Sequence, residues 1–218
     1  MERDFKSALC RCGVISICRR VKTEQLLLLS DVLADAGILC MEVPFDQEDP
    51  HRLEKGAEQI RLLKQRHGEL EIGAGTVLSK EEVRCTKEAG GSFIVSPNTN
   101  AQIVRYTKEL GLSSVPGAMT PTEIVTAYEA GADAVKLFPA GYLGVGYVKD
   151  LTAPLGHIPL VATAGITLEN FADFLRAGCC GAGIGSAIAD RKLLEAGDRA
   201  GLLANAKAFV RIFEENKK

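Results

Sequence analysis

The sequence predicts an α/β protein built as a single-domain (β/α)8 barrel, the TIM-barrel architecture. Short apolar runs alternate with amphipathic segments, a glycine closes each amphipathic segment just before the next apolar run, and no linker interrupts the alternation. Strictly alternating strands and helices imply a parallel sheet with right-handed crossovers. Eight such units within 218 residues favour closure into a barrel. We therefore assign residues 1–218 to one domain.

The predicted strands are apolar on both faces and only four to seven residues long. Such runs suit buried parallel strands. In chain order they are GVISIC, ILCMEV, ELEIGAG, GSFIVS, LSSV, ADAVKLF, IPLVA and CCGAGI.

The glycines that close the helices recur at intervals of 20 to 31 residues, which matches one helix, one strand and two short connections. Glycine at such a position permits a left-handed helix end. The positions are Gly37, Gly68, Gly90, Gly111, Gly131, Gly156 and Gly178.

The predicted helix starts fit the same alternation of strands and helices. Capping boxes are predicted from Ser79 to Glu82 and from Thr120 to Glu123. We also expect a short N-terminal helix at about residues 2–10 and a last helix from about Leu193 to Lys218 that closes the barrel. Two of the predicted helices between the chain termini also carry an apolar stripe at helical spacing. One stripe contains Leu26, Leu29, Leu33 and Ala36, and the other contains Ile60 and Leu63.

An open doubly wound sheet is the alternative architecture. Such a sheet often carries a glycine-rich dinucleotide fingerprint after its first strand. Here Cys18-Arg19-Arg20-Val21 follows that strand, which favours the closed barrel.

Composition limits the classes of partner. The net charge is −2 with no basic run, which argues against nucleic acid, and no stretch approaches the roughly 20 apolar residues of a membrane span. Seven cysteines, several of them in apolar runs, indicate reduced thiols in a cytoplasmic protein. They include no C-x-x-C pair and the three histidines lack ligand spacing, so no metal or other cofactor is expected.

The carboxyl ends of the predicted strands carry the candidate site, because chemistry in this fold occurs at that face. The residues there are unusually polar. In strand order they are Arg19, Glu42, Thr76, Pro97 with Asn98, Pro116 with Gly117, Lys136, Thr163, and Gly185 with Ser186.

Lys136 stands in the middle of an otherwise apolar strand. Burial there would favour the neutral amine, the form that attacks a carbonyl. Glu42 has the same relation to its own strand and could serve as a general base. The alternatives are a lysine whose charged end reaches solvent and a structural ion pair between the two residues. We favour a catalytic pair, since a buried ion pair adds little net stability.

Glycine-rich turns end the last two strands, in Ala162 to Thr167 and Gly181 to Ala187. Their backbone amides and the amino termini of the helices that follow would suit a phosphate group, as is usual in this fold.

Several motifs occur in the same order, and at the same strands and helices, as in one protein family. They are Gly73-Ala74-Gly75-Thr76-Val77-Leu78, Ile94-Val95-Ser96-Pro97-Asn98, Pro116-Gly117 with Thr120-Pro121-Thr122-Glu123, Val135-Lys136-Leu137-Phe138-Pro139 and Gly183-Ile184-Gly185-Ser186. With these motifs the chain resembles, over nearly its whole length, the 2-keto-3-deoxy-6-phosphogluconate (KDPG) and 4-hydroxy-2-oxoglutarate (KHG) aldolases.

The resemblance implies a metal-free homotrimer that cleaves a 2-keto acid, phosphorylated in the expected case, to pyruvate and an aldehyde. It implies Lys136 as the Schiff-base lysine and Glu42 as the proton-transferring carboxylate. It further implies that Arg19 meets an anionic part of the substrate and that Thr76 holds the keto-acid carboxylate. Pro97 and Thr163 would then shape the pocket, and the phosphate end would lie against Gly165, Gly185 and Ser186.

Two positions depart from the family pattern. The loop after the Glu42 strand has Asp46 and Gln47 where some members carry an arginine, and Asp46 would repel a carboxylate. Ala164 replaces a glycine of the phosphate turn. The alternative functions are cleavage of the 6-phosphogalactonate epimer, a phosphate-binding synthase or isomerase of thiamin or tryptophan type, and a catalytically silent barrel.

Overall fold

The computed structural model describes residues 4–217, in which nine parallel strands alternate with ten helices. The strands are β1 (Val14–Ile17), β2 (Cys40–Pro44), β3 (Glu71–Gly75), β4 (Phe93–Val95), β5 (Ser113–Val115), β6 (Gly117–Ala118), β7 (Val135–Leu137), β8 (Leu160–Thr163) and β9 (Gly181–Ile184). The helices are α1 (Phe5–Cys12), α2 (Thr23–Ala36), α3 (Arg52–Arg66), α4 (Lys80–Glu88), α5 (Ala101–Glu109), α6 (Pro121–Glu129), α7 (Ala140–Leu155), α8 (Phe171–Arg176), α9 (Arg191–Ala196) and α10 (Arg199–Asn216).

The sheet closes on itself through β5 and β6. Strand neighbours follow the order β5-β4-β3-β2-β1-β9-β8-β7-β6. Pro116 separates β5 from β6, because proline has no N–H to donate to the ladder. β5 pairs with β4 and β6 pairs with β7, so these two short strands together occupy one position of the barrel. The predicted (β/α)8 barrel is confirmed, with nine strands in eight positions.

Helix starts match the prediction at both capping boxes. The Ser79 hydroxyl accepts from the Glu82 N–H, and the Thr120 hydroxyl accepts from the Glu123 N–H. In each case the glutamate side chain accepts in return from the N–H of the capping residue. The predicted apolar stripes are buried as well, with Leu29, Leu33 and Ile60 fully enclosed.

Helices end at or just before all seven predicted glycines, but the predicted left-handed conformation is absent at two of them. Gly68 follows the C-cap of α3, His67, which is in extended backbone with φ −132°, and Gly68 itself is not left-handed. Gly156 is the C-cap of α7 but keeps right-handed backbone with φ −62°. The five that adopt the left-handed conformation are Gly37, Gly90, Gly111, Gly131 and Gly178.

The predicted single C-terminal helix is wrong, because two helices, α9 and α10, occupy that segment. Gly197 takes a left-handed backbone with φ 64° and ends α9. Asp198 then starts α10 by accepting from the Gly201 N–H. Lys218, the last residue of the predicted helix, lies outside the described residues.

Helix α1 closes the amino-terminal end of the barrel. It begins at Phe5 rather than near residue 2, and residues 2 and 3 of the predicted range lie outside the described chain. Phe5 packs on Phe93 of β4 with ring centroids 4.6 Å apart. The same buried cluster contains Leu9 and interior side chains of four other strands, β1, β2, β5 and β8. These side chains therefore fill the amino-terminal end of the barrel interior. The carboxyl end remains available for the candidate active site.

No helix among residues 4–217 has the length and apolar character needed to cross a membrane.

Candidate active site

Lys136 lies at the centre of β7, between β6 and β8. Its backbone N–H donates to the Pro116 carbonyl at 2.9 Å, which fixes the strand beside the break between β5 and β6. The side chain is only 7% exposed, and Nζ lies 5.3 Å from the centroid of the Phe138 ring. The alternative of a lysine that extends into solvent is therefore wrong.

Glu42 on β2 is a buried carboxylate with 1% exposure. Its Oε1 has no hydrogen-bond partner within the described part of the chain. Burial raises the pKa of the Glu42 carboxyl, and the positive charges of Lys136 and then Arg19 oppose that rise. Among residues 4–217 Glu42 makes no ion pair with Lys136 within 4.0 Å, so a direct structural ion pair does not account for the two groups.

Gly75 makes room for the Glu42 carboxylate. A Cβ at Gly75 would lie 1.8 Å from Glu42 Oε1, so no other residue fits there without moving the carboxylate. The glycine belongs to a motif of the family resemblance, but no sequence pattern connects it with Glu42. Residues 42 and 75 come together because β2 and β3 are neighbours.

One cavity of about 560 Å³ collects most of the predicted site residues. It lies at the carboxyl ends of β1, β7, β8 and β9. Phe138 and Asp190 also line it, although the sequence did not single them out. The predicted residues on its wall are Arg19, Lys136, Thr163, Gly165, Gly185 and Ser186.

A second cavity of about 310 Å³ adjoins the first through Arg19, which lines both. Thr76 lies here, together with Asp46 and Gln47 of the loop after β2. Pro97 and Glu42 are not among the lining residues of these two cavities. The Pro97 carbonyl instead packs on Gly117, where a Cβ would approach it to 2.3 Å.

Three non-glycine residues of the described chain adopt left-handed backbone, and all three follow strands at this face. They are Arg20 with φ 56°, Thr76 with φ 57° and Ala164 with φ 70°. This conformation is unfavourable for residues with a Cβ and tends to occur at functional sites. Ala164 thus keeps the backbone conformation of a glycine despite its methyl group.

The turn after β8 is fixed from two sides. The Gly141 N–H donates to the Ala164 carbonyl at 2.8 Å, and a Cβ at Gly141 would lie 2.7 Å from Gly165 Cα. The Asn170 side chain donates to the Gly165 carbonyl at 2.8 Å and accepts from the Thr167 N–H at 2.8 Å. Sequence reasoning missed Asn170, because an asparagine before a helix normally indicates only a cap.

The helices after the two glycine-rich turns begin later than expected. α8 starts at Phe171 and α9 at Arg191, each beyond the turn that lines the cavity. Any anion at Gly165 or Ser186 would therefore depend on the turns' own backbone amides and side chains rather than on helix termini.

All seven cysteines are free thiols. Within the described residues no group of three or more His, Cys, Asp or Glu side chains is placed to hold a metal ion.

The model of the KDPG and KHG aldolase family matches residues 5–204. The chain belongs to this family. The resemblance found in its motifs is thereby confirmed.

Relatives in the family carry names for two different substrates. The chain is 35% identical over 205 residues to the 2-dehydro-3-deoxy-6-phosphogalactonate aldolase of Escherichia coli K12, covering 93% of this chain and 95% of the relative. It is 34% identical over 183 residues to the 2-dehydro-3-deoxy-phosphogluconate aldolase of Haemophilus influenzae, covering 84% of each. The solved structure named "Native KDPGal structure" superposes with a TM-score of 0.82 at 34% identity, covering 93% of this chain and 95% of that one.

Proposed function

We propose that the chain is a class I aldolase, an aldehyde-lyase that cleaves KDPG, KHG or both through a Schiff base on Lys136. The products are pyruvate and either glyceraldehyde 3-phosphate or glyoxylate. The observation that carries the proposal is a buried amine on the wall of an open cleft, together with a buried carboxylate whose titration it influences. A synthase or isomerase would not need an amine at that strand position.

The reaction begins when Lys136 Nζ attacks the ketone carbon and water leaves, which gives an iminium. Glu42, through a water molecule, removes the proton of the hydroxyl two carbons away. The carbon–carbon bond then breaks as the hydroxyl becomes an aldehyde, and its electron pair passes into the iminium to give an enamine. Protonation of the enamine carbon and hydrolysis release pyruvate and restore the free amine.

The pKa of Glu42 suits this proton transfer. Burial raises the pKa of this carboxyl in the direction of neutral pH. General acid–base catalysis is most efficient when the pKa of the catalytic group lies near the working pH. Oε1 accepts no hydrogen bond from the described residues, so no protein donor lowers its basicity.

We assign the substrate contacts to the residues around the two cavities. Thr76 and Arg19 hold the keto-acid carboxylate, and Thr163 shapes the pocket around the reacting carbons. Pro97, which lines neither cavity, shapes the pocket indirectly through its contact with Gly117. At the far end of the larger cavity the phosphate lies against Gly165, Gly185 and Ser186, which share its wall.

Borohydride trapping with pyruvate tests the chemistry. We expect a stable adduct on Lys136 in the wild-type chain and none in Lys136→Met. Lys149→Met is the matched control, because Lys149 is an exposed lysine on α7 outside both cavities. A wild-type chain that gives no adduct, under conditions that trap a known aldolase, would overturn the proposal.

The 6-phosphogalactonate epimer is the second candidate substrate, favoured by the name of the Escherichia coli relative. A panel of KDPG, its galactonate epimer and unphosphorylated KHG separates the possibilities. A kcat/KM that is highest for KHG would refute the assignment of the glycine-rich turns to phosphate.

The assembly we propose is a homotrimer, as the family resemblance implies. Several large apolar side chains near the carboxyl face are exposed and available for contact between copies, among them Met119, Phe138 and Tyr142. Light scattering that gives the mass of one chain at micromolar concentration would contradict this assembly.

We place the protein in the cytoplasm, acting on a small-molecule 2-keto acid without nucleic acid, membrane or cofactor as partner. The seven free thiols support a reducing compartment. Fractionation of cells with an antibody against the chain tests this location.

A further inference from the structure

The loop after β2 and the turn after β3 are joined through a single buried carboxylate, Glu82. This side chain is 1% exposed and belongs to the first turn of α4. Its Oε2 accepts from the N–H groups of Leu78 at 2.6 Å and Ser79 at 3.0 Å. Its Oε1 accepts from Gln47 Nε2 at 2.9 Å and Arg52 Nε at 3.0 Å. Glu82 thus connects the turn after β3, α3 and the loop between β2 and α3.

Gln47 extends this network to Thr76. The same Nε2 that donates to Glu82 also donates to the Thr76 carbonyl at 2.8 Å, across 29 residues of sequence. Both hydrogens of the amide are then used. Thr76 is β-branched and left-handed, with φ 57°, a conformation that persists only when its surroundings hold it. The bond from Gln47 fixes the carbonyl of this strained residue.

We propose that Gln47 is a positioning residue for the keto-acid end of the substrate. It acts by holding the backbone of Thr76, and the inference rests on the proposed role of Thr76 in binding the carboxylate. In this chain the loop supplies a neutral amide that orients a neighbouring binding residue, and Arg19 supplies the positive charge in the same cavity. Arg52 offsets the negative charge of Glu82 behind the site.

A positioning role has a defined kinetic signature. The carboxylate is bound in the same way in the ground state and in the transition state, so a displaced Thr76 weakens both equally. Loss of such uniform binding raises KM and leaves kcat unchanged. The effect should also be equal for KDPG and KHG, because both present the same keto-acid end.

The test compares Gln47→Met with Gln65→Met. Methionine keeps the length of glutamine and removes its donors, and Gln65 is an exposed glutamine on α3 outside the two cavities. We expect Gln47→Met to raise the pyruvate concentration for half-maximal borohydride trapping about tenfold, the size of effect that loss of one hydrogen bond produces. KM for both aldol substrates should rise by a similar factor, with kcat within about twofold. Tm should fall modestly, because the substitution also removes one of the four hydrogen bonds to buried Glu82. Gln65→Met should match the wild-type chain.

Each contrary result has a separate meaning. If the wild-type chain is trapped on Lys136 and Gln47→Met needs no more pyruvate, the positioning role is wrong and the proposed aldolase chemistry stands. If Gln47→Met lowers kcat and Tm together without changing KM, Gln47 has only a structural role. If the wild-type chain is not trapped at all, the proposed function fails, and the inference fails with it.

Discussion

Two buried glutamates, Glu42 and Glu82, should respond in opposite ways to the same substitution. Both are 1% exposed. Burial raises the pKa of Glu42, and the charges of Lys136 and Arg19 only partly offset the rise. Burial acts in the same direction on Glu82, but hydrogen bonds from Leu78, Gln47, Arg52 and Ser79 outweigh it and lower the pKa. Glutamine replaces each ionised carboxylate by a neutral group of the same shape.

We expect Glu42→Gln to stabilise the fold at neutral pH. A raised folded-state pKa means that the wild-type protein loses stability as the pH rises above the ordinary glutamate value of 4.5. Replacing a buried, unpartnered charged oxygen should recover about 1–3 kcal/mol. For a chain of 218 residues this is a rise in Tm of roughly 2–12 °C at pH 8, with a smaller rise near pH 5. Aldol cleavage should fall by about 10²- to 10⁴-fold.

Glu82→Gln should destabilise the fold, and the loss of stability should be greatest above pH 4.5. A lowered folded-state pKa gives stability that is complete above pH 4.5 and is lost as the pH falls through the folded-state value. The weakened hydrogen bonds to a charged group should cost about 1.5–3 kcal/mol at pH 7, and less in acid.

Urea denaturation of the wild-type chain and both variants between pH 4 and 8 measures the two effects. A Glu42→Gln variant that is less stable than the wild-type chain at every pH would refute the reasoning, because it would mean that the carboxylate is satisfied in the fold.

Three further substitutions have defined outcomes. Ala164→Gly should raise the unfolding free energy by about 0.5 kcal/mol, since relief of left-handed strain worth about 1–2 kcal/mol exceeds the greater chain entropy of glycine; a lower Cm in urea would contradict it. Gly75→Ala should lower the cleavage rate by about 10²-fold or more because its Cβ displaces the Glu42 carboxylate, and unchanged turnover would show that the carboxylate is not needed there. Phe5→Ala should cost about 3–5 kcal/mol by leaving a cavity beside Phe93, measured as a shift in Cm, and a loss below about 1 kcal/mol would mean that α1 is not part of the core.

The fold and the central pair could be predicted from the sequence because both depend on local pattern. Apolar runs of strand length located β2 and β7, and a charged residue inside such a run identified Glu42 and Lys136. The same reasoning located the wall of the larger cavity, since the carboxyl ends of parallel strands converge at one face.

The parts that could not be predicted depend on distant contacts and on backbone conformation. Gln47 meets Glu82 across 35 residues, and no spacing rule connects a loop amide to a helix cap on another element. Left-handed backbone at Thr76 and Ala164 was not expected, because local preference assigns that conformation to glycine. Gly197 divides the last segment into two helices, a break that the apolar periodicity of the segment does not reveal.

The position of α1 has a consequence for the order in which the barrel assembles. Its contacts come from Phe93, from Asp133, whose Oδ1 lies 3.2 Å from Lys6 Nζ, and from Phe213, against which Gly13 is packed. During synthesis α1 therefore emerges well before the residues against which it packs. Its apolar face stays unprotected until Phe93, and much later Phe213, has also left the ribosome.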